Sequence, residues 1–401
     1  MENNEQRHTA GQTVRALVQR SHRGPRDLAL TTDHPRPTPG PGEYLIRVGA
    51  AGVNFADVMR AQGTYGGGPQ PPYVAGFEAA GEIVAVGPGV ESPFRPGTHV
   101  VGPGAFAQFM TMPAVGVLPV PSGWSDAEAL GLVLNWATAL AALKPLGEVK
   151  AGEAVLVHAA AGGVGQAAVR LARHYGARVI ATASPAKHDT VEALGADVVL
   201  DSRRPDLAAE IPRLTGGVGL VLESVGQATF RTSLSVTKPF TGRVVVFGAA
   251  SGDATLTTHD LVFTHHVQVK GLHIGALATA APTLYQALLA ELEALITDGV
   301  YPPGTPPPRP SPGRGADGVA TTRSRPDPRQ ARPRSLALGT PVIHPRQPPC
   351  AVGFDRVASI APGRPHLRYS ATARSAVSRS ERTRASMSRR TTRSCSTSSR
   401  C

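Results

Sequence analysis

The stretch from residue 153 to 187 constrains this chain more than any other. An apolar run ending Leu156-Val157-His158 leads into Ala159-Ala160-Ala161-Gly162-Gly163-Val164-Gly165, a helical stretch (Gln166–His174) follows, and then the apolar run Val179–Ala183. Glycine serves where backbone N–H groups must come close to a phosphate and where a helix packs tightly on a strand. The helix N-terminus adds aligned N–H groups and partial positive charge. The fingerprint is Ala160-x-Gly162-x-x-Gly165, with alanine in the first glycine slot. With a strand before it, a helix after it and a second strand at the right distance, it predicts a dinucleotide-binding unit. Ala160, Gly162, Gly163, Val164 and Gly165 are its predicted pyrophosphate contacts.

The end of the second strand selects the dinucleotide. A site for NAD wants an acid about 20 residues on, to hold the ribose 2′-hydroxyl. Thr182, Ala183 and Ser184 stand there instead, with Lys187 close behind. A hydroxyl and a cation suit a 2′-phosphate, so Ser184 and Lys187 predict NADPH. Arg203, with Arg204, follows the third strand and either adds charge or is a solvated turn.

Around this unit, Ala154–His158, Val179–Ala183, Val198–Leu200, Leu220–Leu222, Val244–Phe247 and Val267–Ile274 read as strands. Gly165–His174, Ala186–Leu194, Pro205–Leu214 and Ala228–Val236 between them read as helices. Apolar strands alternating with helices predict an α/β, Rossmann-type doubly wound parallel sheet over 135–274. Residues 12–134 carry short β runs (Val14–Arg20, Tyr44–Gly49, Gly81–Gly87, Thr98–Gly102, Phe106–Met112) punctuated by Gly/Pro clusters, which predicts a β-rich, barrel-like module. Thr283–Ile296 has helical apolar spacing.

From Pro303 the text changes. It holds 19 Arg, no Lys, 15 Pro, 14 Ser and four acids, a net charge of +15 against −3 for everything before it. Such a composition cannot bury enough apolar surface to offset ordering entropy, so 303–401 is expected to be disordered. Arg/Pro/Ser text without Lys is what GC-rich coding sequence yields out of frame, so the tail is expected to be a frameshift product, with turnover reduced or lost. Translating the neighbouring frame checks this. The rival is a basic tail that binds nucleic acid, against which stands the scarcity of aromatics there, Phe354 and Tyr369. Cys350, Cys395 and Cys401 all lie in this tail, so no disulfide or cysteine metal cluster is expected in the body. The polar start, Met1 to Gly11, lacks the apolar core of a signal peptide, and no run approaches a membrane span. A cytoplasmic protein with no membrane partner is expected.

Three blocks carry a family resemblance: Gly52-Val53-Asn54-Phe55-Ala56-Asp57-Val58, Gly76-Phe77-Glu78-Ala79-Ala80-Gly81 with Gly87, and Val157–Gly165. Weaker echoes are Leu222-Glu223-Ser224-Val225-Gly226 and Gly248-Ala249-Ala250-Ser251-Gly252. Over about residues 12–302 the chain resembles the zinc-independent quinone oxidoreductases (zeta-crystallin-like) of the medium-chain dehydrogenase/reductase superfamily. The resemblance implies that the first module is a GroES-like catalytic domain to which residues 275–302 return. It also implies that Asn54 and Phe77 occupy the places of a Cys and a His that ligate catalytic zinc in zinc-using relatives. Neither can replace a thiolate or imidazole, and the His265-His266 pair, read as neighbours on a strand, would face opposite ways. No metal is expected.

The family passes hydride from NADPH to quinones or activated alkenes, work done by positioning and by hydrogen bonds to developing charge. The resemblance places Asn54 as an amide near the nicotinamide, Asp57 as its orienter and Tyr65 as a donor or proton source. It places Thr138 beside the nicotinamide and Phe247 and Gly248 along the cofactor. The bland readings are a turn-forming Asn54 and a surface Tyr65, and Glu78 is given a structural role holding the cleft. The substrate expected is a small quinone or enone. The alternatives are an enoyl-thioester reductase on the same scaffold and a non-catalytic nucleotide- or RNA-binding protein. The Val267–Ile274 run alternates like a half-buried edge strand, which in the family pairs across a homodimer.

Overall fold

The computed structural model describes residues 12–304 and the strand Ala351–Gly353. Apart from these, the tail expected from 303 onward lies outside the described residues.

The first part is antiparallel. Strand β1 (Thr13–Gln19) pairs with β2 (Leu28–Pro35). Next come β3 (Glu43–Gly52), the short helix α1 (Phe55–Ala61) and β4 (Tyr73–Val74), which pairs back to β1. Strands β5 (Glu78–Val86), β6 (His99–Pro103), β7 (Phe109–Pro113) and β8 (Leu118–Pro119) complete this part, with β3 bonded to β5 and β7, and β6 to β5 and β8. Tyr44, Ile46, Ile83, Val100 and Met112 fill its core. The β-rich expectation holds with two corrections. The β2 strand escaped the sequence reading because Leu28–Pro35 is largely polar and nowhere fully buried, so it lacks the alternation that marks a half-buried strand. And β7 starts at Phe109, because the preceding residues bond to β1 instead: Leu17 N–H donates to the Phe106 carbonyl and Gln108 N–H to that of Arg15.

A short helix α2 (Asp126–Ala129), a π-helical turn (Leu132–Trp136) and the fully buried α3 (Ala137–Leu143) lead into the second sheet. Its elements are β9 (Ala154–Val157), α4 (Gly163–His174), β10 (Arg178–Ala183), α5 (His188–Ala193), β11 (Val198–Asp201), α6 (Leu207–Thr215), β12 (Leu220–Glu223), α7 (Phe230–Val236), β13 (Arg243–Val246) and β14 (Gln268–Gly271). All neighbouring strands run parallel in the order β11-β10-β9-β12-β13-β14, which is the Rossmann order 3-2-1-4-5-6. Successive residues of a strand face opposite sides. Val155 and Val157 pack with α3 and α4, while Leu156 packs with Ile211 of α6 and Leu234 of α7. The near-continuous apolar strands are thus explained by cover on both faces.

The last expected strand is shorter than predicted. β14 stops at Gly271, and Ile274, which the sequence reading took as the last residue of the strand, instead opens a helix, α8 (Ile274–Ala280). The helix starts there because the His273 side chain accepts the N–H of Ala276 at its N-terminus. Helix α9 (Pro282–Thr297) follows, and its Leu288, Leu292 and Leu295 join the cluster that contains Leu140 and Leu143 of α3. A three-residue strand, β15 (Ala351–Gly353), pairs antiparallel with Ala50–Gly52 of β3, within a stretch expected to carry no regular structure. Strand pairing uses backbone groups that every non-proline residue carries, so composition alone does not foretell it.

Candidate functional site

The helix α4 begins at Gly163, so Gly163, Val164 and Gly165 all lie in its first turn. Helix geometry leaves their N–H groups without intrahelical acceptors, and no acid occupies that turn. Such an arrangement, at the C-terminal edge of β9, is suited to an anion. A tight turn precedes the fingerprint. Ala159 takes the left-handed conformation (φ 49°), while Ala160 is fully buried and donates its N–H to the Thr182 carbonyl at 3.0 Å. Gly165 is the residue where glycine is obligatory: a Cβ there would lie 2.4 Å from the Ala159 carbonyl oxygen and 2.7 Å from Ala160 Cα.

Ser184 and Lys187 sit half-buried at the end of β10, on a single 3-10 turn in which Lys187 N–H donates to the Ser184 carbonyl. Arg203 is exposed in the neighbouring loop, tied to the same edge by the Ser202 N–H, which donates to the Ala183 carbonyl at 2.9 Å. An acid does stand on the adjacent strand, Asp201, but one of its carboxylate oxygens accepts the Arg203 N–H at 3.0 Å. Thr182 is not part of this surface. It is fully buried, and its hydroxyl bonds His158 Nδ1 at 3.0 Å. Burial pushes the His158 imidazole pKa down, so the ring is held neutral beneath the phosphate loop. At the end of β13, Phe247 N–H donates to the Glu223 carbonyl, and Gly248 approaches Ser224 so closely that a Cβ would meet its carbonyl oxygen at 2.6 Å. Ala160 to Gly165, Ser184, Lys187, Arg203, Phe247 and Gly248 are thus brought to one edge of the sheet, the carboxyl ends of the strands where doubly wound folds take ligands.

The other candidates come from the β-rich part. Asn54 caps α1, and its backbone N–H donates to Asp57 Oδ2 at 2.7 Å. Asp57 therefore fixes the backbone of Asn54. Its second oxygen is buried without a hydrogen-bond partner, and burial pushes the carboxyl up to about 7. Glu78 is fully buried, accepts the Gly131 N–H at 2.6 Å, and is likewise pushed up to about 7 by burial. That bond ties β5 to the residue just before the π-helical turn that leads into α3. Thr138 is buried two residues into α3, and its hydroxyl donates to the Leu134 carbonyl at 2.6 Å, so it can offer a neighbour only lone pairs. Tyr65 is half-buried, with its ring 4.9 Å from Phe77 edge to face and its hydroxyl 2.7 Å from His273 Nε2. It is therefore not a free surface aromatic.

Arg60 and His273 were missed in the sequence. Arg60 lays its guanidinium 3.5 Å over the Phe77 ring and bonds the Gly76 carbonyl at 3.1 Å. Its signal was available in part, one turn beyond Asp57 on α1. For His273 there was none, since 208 residues separate it from Tyr65.

A zinc ion does not fit here. Phe77 offers no donor atom, a guanidinium lies over its ring, and the nearby Asn54 is an amide. Among the described residues no group of three or more His, Cys, Asp or Glu side chains is placed to hold a metal. The reasoning applied to His265-His266 needs correction, because His265 ends a π-helical turn and His266 is left-handed (φ 55°), so the pair is not on a strand.

The buried Glu78 makes a testable statement about pH. Its folded-state pKa lies above the ordinary 4.5, so the stability it contributes is full below about 4.5 and is lost as pH rises through about 7. Glutamine keeps the acceptor for Gly131 and does not titrate. Glu78→Gln is expected to match the native protein at pH 5 and exceed it at pH 8, by up to ~3 kcal/mol. Thermal melts at the two pH values check this; equal melting points at pH 8 would count against it.

With this geometry in place, the chain can be compared with known proteins. Residues 163–293 match the family described as zinc-binding dehydrogenase, and residues 40–122 match the alcohol dehydrogenase GroES-like domain. A mycobacterial structure complexed with NADPH is 36% identical, with a TM-score of 0.67, covering 71% of this chain and 89% of that one. A quinone oxidoreductase of Pseudomonas syringae pv. tomato DC3000 is 33% identical, with a TM-score of 0.66, covering 72% and 90%. The CurK enoyl reductase is 32% identical, with a TM-score of 0.66, covering 74% and 91%. The polyketide synthase component PikAII of Streptomyces venezuelae is 39% identical over 267 residues, 65% of this chain but 7% of that much longer protein. No helix among the described residues is long and apolar enough to cross a membrane.

Proposed function

This chain belongs to the medium-chain dehydrogenase/reductase superfamily as a quinone-oxidoreductase-like oxidoreductase, and from that premise we propose that it is an NADPH-dependent reductase of quinones or activated alkenes that works without zinc. The observation that carries the cofactor choice is the edge of the parallel sheet. A phosphate loop at the N-terminus of α4 lies beside a β10 end that bears Ser184 and Lys187 in place of an acid. In this reading the region 135–274 holds the cofactor, and 12–134 with 275–302 forms the substrate cleft. Gly163, Val164 and Gly165 hold the pyrophosphate through their N–H groups, Ser184, Lys187 and Arg203 take the 2′-phosphate, and Thr138, Phe247 and Gly248 border the nicotinamide. NADPH supplies the hydride. The chain supplies orientation and hydrogen bonds: Asn54, fixed by Asp57, offers its amide, and Tyr65 its phenol.

Lys187→Glu is expected to raise the NADPH dissociation constant about tenfold, the loss of one charge-assisted contact, and to leave that for NADH unchanged or lower. Fluorescence titration with both nucleotides checks it, and an unchanged NADPH affinity would remove Lys187 from the site. The substrate class is tested by following NADPH oxidation with a benzoquinone, a simple enone and an enoyl thioester. Turnover of the first two is expected. Preference for the thioester would favour the enoyl-reductase reading, which the likeness to the CurK enoyl reductase supports. NADPH binding with no turnover of any would favour a nucleotide-binding protein. We also propose a homodimer meeting at the β14 edge, where Phe240 and Phe263 are exposed nearby; a monomer in sedimentation would contradict it. A small molecule remains the partner, in a cytoplasmic setting, with nucleic acid relevant only through the basic tail.

A further inference from the structure

The Tyr65–His273 pair joins the loop after α1 to the residue just beyond β14, so it links the β-rich part to the ligand-binding edge of the parallel sheet. His273 is engaged at both ring nitrogens. Its Nδ1 accepts the Ala276 N–H at 2.9 Å, which caps α8. A nitrogen that accepts a backbone N–H keeps its lone pair, so the neutral ring carries its proton on Nε2. That Nε2–H faces the Tyr65 hydroxyl oxygen at 2.7 Å. The imidazole is therefore the donor of this bond and the phenol the acceptor, which leaves the phenol's own proton free to point elsewhere.

We propose that His273 is a positioning residue: by donating to the Tyr65 oxygen it turns the phenolic O–H into the cleft and makes Tyr65 the proton donor of the reaction. The proposal rests on the reductase reading above. Hydride addition to the electron-poor carbon of an enone moves the π-electron pair onto the carbonyl oxygen. The Tyr65 O–H bond then breaks and its proton passes to that enolate, leaving a phenolate that is reprotonated from solvent water. The net consumption is one hydride from NADPH and one proton. While the phenolate lasts, the same Nε2–H stabilises it, a charge-assisted bond stronger than the neutral one.

The other groups facing Tyr65 act in both directions. Burial pushes the phenol pKa up, Asp57 on α1 adds to this, and Arg60, 5.7 Å from the ring centroid, opposes it; Phe77 is the apolar wall. None of these makes a hydrogen bond to the phenol oxygen, so His273 is where the phenolate finds its donor among the described residues.

Two substitutions separate this role from capping. Serine caps a helix well but is too short to reach the phenol, so His273→Ser keeps α8 and removes the donor. Glutamine can donate from its amide, so His273→Gln restores it. The first readout needs no substrate: phenolate absorbance is titrated in each protein, with Tyr65→Phe subtracted to isolate Tyr65. His273→Ser is expected to raise the Tyr65 midpoint by about one pH unit, and His273→Gln to bring it back toward the native value. The second readout is enone reduction, where His273→Ser should lower kcat about tenfold with the NADPH dissociation constant unchanged, and should have no further effect on Tyr65→Phe. A Tyr65 midpoint unmoved by His273→Ser, or a kcat within twofold of native, overturns the proposal. A native protein that binds NADPH and shows the titration shift but reduces no electrophile overturns the reductase reading instead, and the hydrogen-bond assignment stands.

Discussion

Gly165→Val is expected to weaken NADPH binding by on the order of a hundredfold or more, equivalent to ~3 kcal/mol. The first β-carbon alone would sit 2.4 Å from the Ala159 carbonyl oxygen and 2.7 Å from Ala160 Cα, backbone atoms that cannot rotate aside. The loop or the helix must shift, and either movement pulls the N–H groups of Gly163, Val164 and Gly165 off the phosphate. Gly162 provides the contrast. Its φ of −79° suits any residue, and a Cβ there would meet only the Ala159 oxygen, at 3.2 Å. Gly162→Ala should therefore cost far less. The measurement is a fluorescence titration of both variants with NADPH; a valine variant within threefold of native would show that the phosphate does not bind at this loop.

Arg243→Met is expected to destabilise the fold by about 3–5 kcal/mol, while leaving the ligand edge untouched. Arg243 opens β13 at the opposite, N-terminal edge of the sheet, with its side chain 8% exposed. Its guanidinium donates to the carbonyls of Gly147, Glu148 and Gly219 and to both carboxylate oxygens of Glu153. One side chain thus ties the segment after α3 to the starts of β9, β12 and β13. Methionine fills similar space but strands a largely buried carboxylate and three carbonyls. Lysine should not rescue, because an ammonium lacks the planar fork that reaches several acceptors at once. Thermal melting checks both, with a drop of roughly 10 °C expected; a loss below 2 °C would mean that the network contributes little.

Much of the fold was legible because the sheet is built from runs whose chemistry repeats. Val155, Leu156 and Val157 are buried on both faces, so the text is continuously apolar, and a helix follows each of β9, β10, β11 and β12. The strand–glycine loop–helix unit was legible for the same local reason: glycine spacing, strand and helix lie within 35 residues. What escaped depends on distant or tertiary partners. β2 is polar and held by its pairing with β1. α8 replaces the end of a predicted strand because His273 caps it. Ala159, just before the fingerprint, takes a left-handed turn that nothing in its residue type announced. In the β-rich part, Asn54 and Asp57 stood out by their motif and Tyr65 by the glycine-rich loop that carries it, yet their partners were hidden. Nothing in the sequence links Tyr65 to His273, or says that Thr182 turns inward to His158 and leaves Ser184 and Lys187 at the surface.

The central claim, that the β10 end selects a 2′-phosphate, is tested most directly by titrating the native chain with NADPH and NADH side by side. NADPH is expected to bind at least tenfold more tightly, a difference that shrinks as salt screens Lys187 and Arg203. Equal affinities, or tighter binding of NADH, would contradict it.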